Sequence, residues 1–494
     1  MALELTILPY AFAKQHGVIV RANATQENIS IYHVPPINWY IIAESQRFLR
    51  MQGLHGNLIL TEINAVEFQK HLAVCYQSQI NLLETTMNME EDLDLTHFAE
   101  QLPRNEDLLD PQNEAPIIRL INALFTQAIK QQASDIHIET YENNILVRNR
   151  IDGVLHSMVE IQRAAAPLVI SRIKVMAKLD IAEKRLPQDG RISLSIGGHT
   201  VDVRVSTLPS NHGERIVLRI LDKQNAQLDL TKLHIDSLNL NKIHQMIAHP
   251  HGMLLATGPT GSGKTTSLYA MLAELNETKR NILTIEDPIE YDLPGISQTQ
   301  VNTKIGMSFA KGLRAILRQD PDIVMLGEIR DLETAEIAVQ ASLTGHLVLS
   351  TLHTNTALGA ITRLQDMGIE PFLLTSSLVG LMAQRLVRKL CNYCKQIDPI
   401  SQDTIASLFA SNTINPSQIF IHRGCAHCNQ TGYRGRIGLY EFIMVDATIR
   451  EMICKNENLQ VIEHYIRPST PSIREYGLQR VLAGETSISE ILRV

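Results

Sequence analysis

Residues 258–265 read Gly258-Pro259-Thr260-Gly261-Ser262-Gly263-Lys264-Thr265, which is the G-x-x-x-x-G-K-T pattern of a phosphate-binding loop. The apolar residues 253–257 before the loop predict a buried strand, and residues 265–275 after it predict a helix. This order of strand, glycine loop and helix is the context that the motif requires. An ordinary glycine turn could also join a strand to a helix, but it does not account for the Lys-Thr pair. The stretch therefore predicts an α/β domain that binds a nucleotide.

The parts of the loop have separate tasks in this prediction. Its glycines let backbone N–H groups wrap around phosphate oxygens, and the positive end of the following helix attracts the same anion. Lys264 is placed to reach the β and γ phosphates, and the Thr265 hydroxyl is placed to coordinate Mg²⁺. We expect ATP to be bound by these consecutive residues: Gly258, Pro259, Thr260, Gly261, Ser262, Gly263, Lys264, Thr265 and Thr266.

A cluster of carboxylates follows the next apolar strand pattern, residues 282–285. Glu286 and Asp287 come directly after it, and Glu290 follows three residues later. Ligands of open α/β sheets bind at the carboxyl ends of the strands. The cluster suits water-mediated coordination of Mg²⁺, which keeps several of its own waters. A polar loop that caps a helix is the alternative interpretation.

Two further strand patterns end in candidate catalytic residues. One ends in Gly327-Glu328, whereas most phosphate-loop ATPases place there an Asp that helps to hold Mg²⁺. Glu328 remains able to orient or deprotonate the attacking water, and the missing Asp gives the preceding carboxylates more weight. The other pattern ends at His353, which we expect to sense the γ-phosphate. His346, inside that pattern, is more simply a hydrogen-bonded core residue.

Four of the six cysteines form two C-x-x-C pairs: Cys391, Cys394, Cys425 and Cys428. Two such pairs bring four thiolates into a tetrahedron, which predicts a structural Zn²⁺ site. Disulfides are the alternative, but a cytosolic chain makes them unfavourable, and a thioredoxin-like site needs only one pair. Cys75 and Cys454 stand alone and are expected to be small buried residues.

Charge and hydropathy exclude several classes of protein. The net charge of −7 argues against a nucleic-acid binder driven by a basic surface. Ten of the acidic residues lie in residues 84–114 beside one basic residue, which predicts a solvated linker. Neither a signal peptide nor an apolar run of about 20 residues is visible, so we expect a cytosolic protein that meets a membrane only through a partner.

Shifts in composition divide the chain into five parts. They are a small N-terminal α/β domain (1–83), the acidic linker (84–114), a second α/β domain (115–221), a polar hinge (222–236) and a larger α/β domain (237–494) with the cysteine insert (388–432). Residues 185–219 are rich in arginine. They form either a solvated face with ion pairs or a set of arginine fingers for a nucleotide across a subunit boundary.

These motifs together resemble the type II/type IV secretion ATPases over nearly all of residues 112–494. The carboxylate cluster resembles the Asp box of that family, Gly327-Glu328 its variant Walker B strand, and residues 344–355 its His box. The resemblance implies a hexamer with a RecA-like P-loop ATPase domain and a zinc-binding insert, preceded by a PAS-like α/β domain and the small N-terminal α/β domain. It also implies that Arg191 and Arg204 approach the γ-phosphate, with Arg219 a weaker candidate.

The cysteine insert resembles the extension ATPases of the family, and residues 8–18 resemble the start of the type II secretion members. The implied function is a cytoplasmic, hexameric ATPase that couples ATP hydrolysis to pseudopilus assembly and protein export. Residues 1–83 are expected to dock on the cytoplasmic domain of an inner-membrane platform protein. One alternative is a type IV pilus assembly ATPase. A remoter one is a RecA-like nucleic-acid motor, which the acidic balance disfavours.

Overall fold

The computed structural model describes residues 114–196, 199–222, 229–400 and 418–494, parts of residues 5–68, and the single residues 95, 405, 408 and 409. These form two compact units, Met1–Asp94 with Leu194–Thr200 and Leu95–Ser193 with Val201–Val494. The predicted acidic linker lies outside the described residues apart from Leu95 and Glu114, and Cys75 also lies outside them.

In the described part of the N-terminal unit, a four-stranded sheet in the order β1-β2-β3-β4 is accompanied by one long helix. Its elements are β1 (Leu5–Thr6), β2 (Val18–Ala22), β3 (Asn28–His33), α1 (Trp39–Met51) and β4 (Asn57–Glu62). β3 and β4 pair in parallel, which needs a crossover connection, and α1 lies between them in the chain. Val20, Ile31 and Leu49 belong to the buried cluster between helix and sheet. The predicted small α/β domain is confirmed.

The next domain is a six-stranded sheet with two helices, in the strand order β7-β6-β5-β10-β9-β8. Its elements are α2 (Glu114–Lys130), β5 (Asp135–Thr140), β6 (Asn144–Ile151), β7 (Val154–Gln162), α3 (Ala166–Met176), β8 (Gln188–Ile196), β9 (His199–Ser210) and β10 (Gly213–Asp222). Helix α2 buries Ile117, Leu120, Leu124 and Ala128, whose spacing defines one helical face.

The central strand of that sheet, β5, is buried over its whole length despite its alternating polar residues. Arginines of neighbouring strands cover its acidic side chains. Arg215 lies 2.6 Å from the carboxylate of Glu139, and the Nε of Arg219 donates to Asp135 at 3.0 Å. The polar face of β5 is therefore a row of buried carboxylates paired with arginines.

The larger domain is built on one seven-stranded sheet in the order β13-β12-β14-β15-β11-β16-β19. Its elements are α4 (Ser237–Ile247), β11 (Gly252–Thr257), α5 (Lys264–Leu275), β12 (Ile282–Glu286), β13 (Ser297–Gln300), α6 (Phe309–Ile316), β14 (Ile323–Leu326), α7 (Leu332–Leu343), β15 (Leu347–Leu352), α8 (Gly359–Asp366), α9 (Pro371–Ser377), β16 (Leu378–Leu390), β17 (Gln396–Ile397), β18 (Phe420–Ile421), β19 (Tyr433–Met444), α10 (Ala447–Cys454), α11 (Leu459–Ile466), α12 (Ile473–Leu482) and α13 (Ile488–Ile491).

The direction of these strands decides where the motifs meet. The strands from β13 to β16 pair in parallel, and only β19 runs antiparallel to its neighbour β16. β11, β12, β14 and β15 are buried along their whole length, as expected for parallel strands covered on both faces. Their carboxyl ends share one edge of the sheet, so the segments that follow them lie side by side.

The cysteine insert leaves the sheet between β16 and β19. Leu390 at the end of β16 pairs with Tyr433 at the start of β19, so the insert begins and ends at neighbouring positions. Cys454 lies outside the insert at the end of α10 and is exposed, so the prediction that it is buried was wrong. The apolar face of α10 is formed instead by Ile449 and Ile453.

No helix among the described residues is long and apolar enough to cross a membrane.

Candidate nucleotide and metal sites

A cavity of about 470 Å³ opens at the carboxyl edge of the large sheet. Residues 260–266 of the loop form one wall of it, and segments that follow β12, β14 and β15 form the others. Besides loop residues 260–263 and the weaker candidate Arg219, eight predicted site residues line this one cavity: Lys264, Thr265, Thr266, Glu286, Asp287, Glu290, Glu328 and His353. Residues up to 93 apart in the sequence are thus brought together because parallel strands end at one edge.

The glycine loop passes close to strand β16. A Cβ at Gly258, where φ is +143°, would lie 2.5 Å from the carbonyl oxygen of Gln384, so only glycine fits there. A Cβ at Gly261 would meet nothing within 4 Å, and Gly261 lines the cavity. The buried Oγ of Ser262 has no hydrogen-bond partner. An orphan donor in a loop that lines a cavity fits a phosphate group.

Lys264 is 8% exposed and lies against its own loop. Its Nζ donates to the carbonyl oxygens of Gly258 at 2.7 Å and Pro259 at 3.1 Å. Burial lowers the pKa of Lys264 to about 8, against the opposing effect of the negative Glu328. A buried ammonium group with only neutral carbonyl partners is prepared for an anion, because a phosphate would supply the missing charge.

Glu286 ends β12 and is 2% exposed. Its carboxylate accepts hydrogen bonds from the hydroxyl of Tyr269, from Thr284 Oγ1 at 2.5 Å and from Gln298 Nε2 at 3.0 Å. All three donors are neutral, and within the described part of the chain no ion pair involves Glu286. Burial and the Glu286 carboxylate raise the pKa of Tyr269, so its hydroxyl stays protonated as a donor. A buried carboxylate without a counter-charge at a cavity wall fits a site for a hydrated cation.

Glu328, directly after β14, is held between two basic side chains. His353 Nε2 lies 3.1 Å from one carboxylate oxygen, and Arg330 is paired with the other. The hydrogen bond from Arg330 raises the pKa of that arginine. Only 15% of the Glu328 side chain is exposed, whereas about half of the His353 side chain is. The carboxylate is therefore fixed at the cavity wall with the imidazole beside it.

The arginines of the second domain lie next to this cavity. Arg219 lines it, while Arg191 and Arg204 line an adjoining cavity of about 510 Å³ that shares Asp287 with the first. Arg204 Nη2 lies 3.2 Å from the carboxylate of Glu290 and donates to the carbonyl of residue 289 at 3.0 Å. Of these three arginines, Arg219 is the one that lines the nucleotide cavity itself.

Sequence reasoning missed several residues of the site. Tyr269, Phe309, Arg330 and Thr351 all contribute to the cavity or to its hydrogen bonds. Arg330 follows Glu328 by two residues at the same strand end, and that position was a usable signal. Tyr269 gave none, because a tyrosine on an apolar helix is usually a core residue.

His346 lies at the opposite end of β15, where its Nδ1 is 2.9 Å from the carbonyl oxygen of Ala341. This contact agrees with the expected hydrogen bond, but His346 is only half-buried and precedes the strand, so the prediction of a core position was wrong.

The four cysteines of the insert converge as predicted. Their Sγ atoms all lie within 4.8 Å of one another. The Sγ–Sγ distance is 3.8 Å for Cys391 and Cys425, and also for Cys394 and Cys428. A zinc ion with Zn–S bonds of about 2.3 Å has ligand sulfurs about 3.8 Å apart, so the donor set fits tetrahedral zinc. All four cysteines carry free thiols.

Backbone donors support this cluster. Cys428 Sγ accepts hydrogen bonds from the N–H groups of Cys425 at 3.2 Å and Gly432 at 3.1 Å. Burial opposes ionisation of this thiol, but these N–H groups and the hydrogen bonds with the Cys425 and Cys394 side chains together outweigh burial and lower the pKa of Cys428 to about 7. Hydrogen bonds to sulfur favour the thiolate, which is the form that binds a metal.

Comparison with known proteins agrees with these features. A sequence profile described as "Type II/IV secretion system protein" matches residues 110–493, and a second profile, for one domain of "GSPII protein E", matches residues 7–76. The type II secretion system ATPase E of Vibrio cholerae is 52% identical over 491 residues, covering 99% of this chain and 96% of that protein. Type II secretion system protein E of Pseudomonas aeruginosa is 53% identical over 492 residues, with the same two shares.

Two solved structures have a similar fold. The Legionella pneumophila ATPase DotB matches with a TM-score of 0.57 at 21% identity, over 76% of this chain and 95% of that one. The pilus retraction motor PilT, solved with ADP bound, matches with a TM-score of 0.51 at 26% identity, over 75% and 95% of the two chains. The predicted RecA-like fold class and the resemblance to the secretion ATPases are confirmed.

Proposed function

We propose a function from the premise that this chain belongs to the type II/IV secretion system protein family and is an ATPase of type II secretion. In the proposal, ATP hydrolysis drives assembly of a pseudopilus and thereby protein export. The single observation that carries the chemistry is the convergence of the phosphate loop, the carboxylate cluster and Glu328 on one cavity. The full-length relatives are type II secretion proteins, which favours this function over pilus assembly.

Each residue in the cavity has a task in hydrolysis. The loop amides and Lys264 hold the phosphates, and the Lys264 ammonium leaves its carbonyl partners to do so. Glu328 orients the attacking water and accepts its proton, because its carboxylate is fixed at the cavity wall. His353, 3.1 Å from that carboxylate, holds Glu328 and senses whether a γ-phosphate is present.

Two metal ions complete the proposal. Mg²⁺, when bound, neutralises phosphate charge, and the residues that would hold it are Thr265 and, through water, Glu286, Asp287 and Glu290. Zn²⁺ at the four cysteines would be structural, because protein fills all four positions.

We propose that the active form is a homo-hexamer. Arg191 and Arg204 lie beside the nucleotide cavity without lining it, as expected of fingers that reach a phosphate only when domains or subunits are packed together. The proposed division of the chain is residues 1–83, 84–114, 115–221, 222–236 and 237–494.

Attachment to the secretion machine is assigned to residues 1–83. Within the described residues no catalytic motif lies there, and a profile for this region alone matches residues 7–76. The domain would dock on the cytoplasmic part of an inner-membrane platform protein. The chain would then be a cytoplasmic protein on the inner face of the membrane, with no nucleic-acid partner.

The test of the chemistry is Glu328→Gln, which keeps the size of the side chain and removes its basicity. General-base catalysis typically contributes about 10²–10⁴ in rate, so kcat should fall by that factor while nucleotide affinity stays within about threefold. Glu451→Gln is the matched control, because Glu451 is also ion-paired, to Lys455 at 2.6 Å, but on the exposed surface of α10. Wild-type turnover by Glu328→Gln would refute the assignment.

A further inference from the structure

The buried carboxylate of Glu286 is held by three donors from three different elements. Thr284 lies on the same strand, and Gln298 lies on the neighbouring strand β13. Tyr269 lies on α5, the helix that begins with Lys264 of the phosphate loop. Tyr269 is therefore the donor that links the carboxylate to the nucleotide loop.

The hydroxyl of Tyr269 makes a second bond to the same segment. It donates to Glu286 and accepts from the backbone N–H of Glu290 at 3.3 Å. The carboxylate of Glu290 in turn lies 3.2 Å from Arg204 of the second domain. One buried hydroxyl thus contacts the first and last carboxylate residues of the cluster.

The packing around Tyr269 fixes that hydroxyl in place. The side chain is completely buried, and its ring meets the ring of Tyr291 edge-on, with centroids 6.2 Å apart and planes at 72°. A tyrosine has only two side-chain torsions, so a packed ring holds its hydroxyl at a defined point.

We propose that Tyr269 is a positioning residue of ATP hydrolysis, which sets the carboxylate of Glu286 and the backbone of Glu290 relative to the phosphate loop. The inference rests on the function proposed above. Glu286 has no charged partner to orient it among the described residues, so its direction depends on these neutral hydrogen bonds. Groups that orient a metal-binding carboxylate from behind typically contribute about 10–100-fold to metal affinity.

The test compares Tyr269→Phe with Tyr440→Phe in the full-length protein. Both changes remove one hydroxyl from a buried tyrosine of this domain. The hydroxyl of Tyr269 bonds to Glu286 and Glu290, whereas the hydroxyl of Tyr440 donates to the carbonyl oxygen of Leu233 at 3.3 Å. Binding of a fluorescent ATP analogue is titrated with MgCl₂ and repeated in EDTA. For Tyr269→Phe we expect the half-saturating Mg²⁺ concentration to rise about tenfold or more, with binding in EDTA unchanged.

Hydrogen exchange gives a readout that does not depend on activity. The amide of Glu290 should exchange faster in Tyr269→Phe, because it loses its acceptor, whereas it should be unchanged in Tyr440→Phe. In combination with Glu286→Gln, Tyr269→Phe should add no further rise in the Mg²⁺ requirement, since both changes act on one carboxylate.

The possible results separate failure of this inference from failure of the proposed function. The inference is overturned if Tyr269→Phe needs no more Mg²⁺ than Tyr440→Phe does. It is also overturned if the effects of Tyr269→Phe and Glu286→Gln on the Mg²⁺ requirement are fully additive. Either result leaves the ATPase assignment intact. Absence of ATP hydrolysis by the wild-type protein overturns the proposed function instead. If Tyr269→Phe does not fold, hydrogen exchange of the wild-type protein is the test. The exchange rate of the Glu290 amide should fall when nucleotide and MgCl₂ bind, and an unchanged rate overturns the inference.

Discussion

Replacing Lys264 with methionine should remove nucleotide binding without destabilising the nucleotide-free protein. The buried ammonium has a pKa of about 8 instead of its usual 10.5. At about 1.4 kcal/mol per pKa unit, folding with this charge costs roughly 3 kcal/mol. Methionine avoids that cost but loses two hydrogen bonds to carbonyl oxygens, each worth about 1 kcal/mol. We therefore expect the free energy of unfolding to rise by ~1 kcal/mol in Lys264→Met. Truncating an ordinary packed side chain would instead lower it by about 2–5 kcal/mol.

The pH dependence follows from the direction of the shift. Below about pH 8 the folded protein carries the charged Lys264, and the burial cost is fully present. Between about 8 and 10.5 the folded protein loses this proton before the unfolded chain does, so the cost fades. The stability of Lys264→Met relative to the wild type should therefore be greatest near pH 7. This difference should shrink as the pH rises through this range.

Scanning calorimetry of the full-length protein measures both effects. A nucleotide at 100 times its Kd should stabilise the wild type by about 2.7 kcal/mol, visible as a shift of one transition by several degrees, and should not stabilise Lys264→Met. Lys455→Met, at the exposed lysine directly after α10, is the matched control. If Lys264→Met without nucleotide lost more than about 3 kcal/mol of unfolding free energy, the reasoning would be refuted, because the ammonium would then stabilise the fold.

Three further predictions follow from the proposed function. Purified protein should contain one zinc per chain. Cys391→Ser should release it and unfold the insert before the phosphate-loop domain, since structural zinc contributes on the order of 10 kcal/mol to folding. Zinc-free protein purified without chelator would contradict this. Activity per chain should rise with protein concentration, and Arg204→Ala should lower it at high concentration, because an arginine finger is worth about 10³–10⁵ in rate; a fully active monomer would exclude this role. Deleting residues 1–100 should leave basal ATPase activity largely intact but abolish co-sedimentation with membranes that contain the platform protein; continued co-sedimentation would move the attachment elsewhere.

The sequence predicted the large domain well because its determinants are local. The loop motif and the apolar strand patterns placed β11, β12, β14 and β15 to within about two residues. Parallel strands then force the segments that follow them to one edge. The four-cysteine site was equally predictable, because the spacing of two C-x-x-C pairs specifies the ligands directly.

The second domain was harder to predict because its charged residues interact over long distances in the sequence. Asp135 and Glu139 alternate with isoleucines, yet arginines more than 75 residues away pair with both of them. Arg204 meets Glu290, which is 86 residues further along the chain. No local pattern distinguishes such an arginine from a solvated one. An arginine paired to the carboxylate cluster must exchange that partner for a phosphate before it can act as a finger, so its availability depends on how the domains pack, which is a tertiary property.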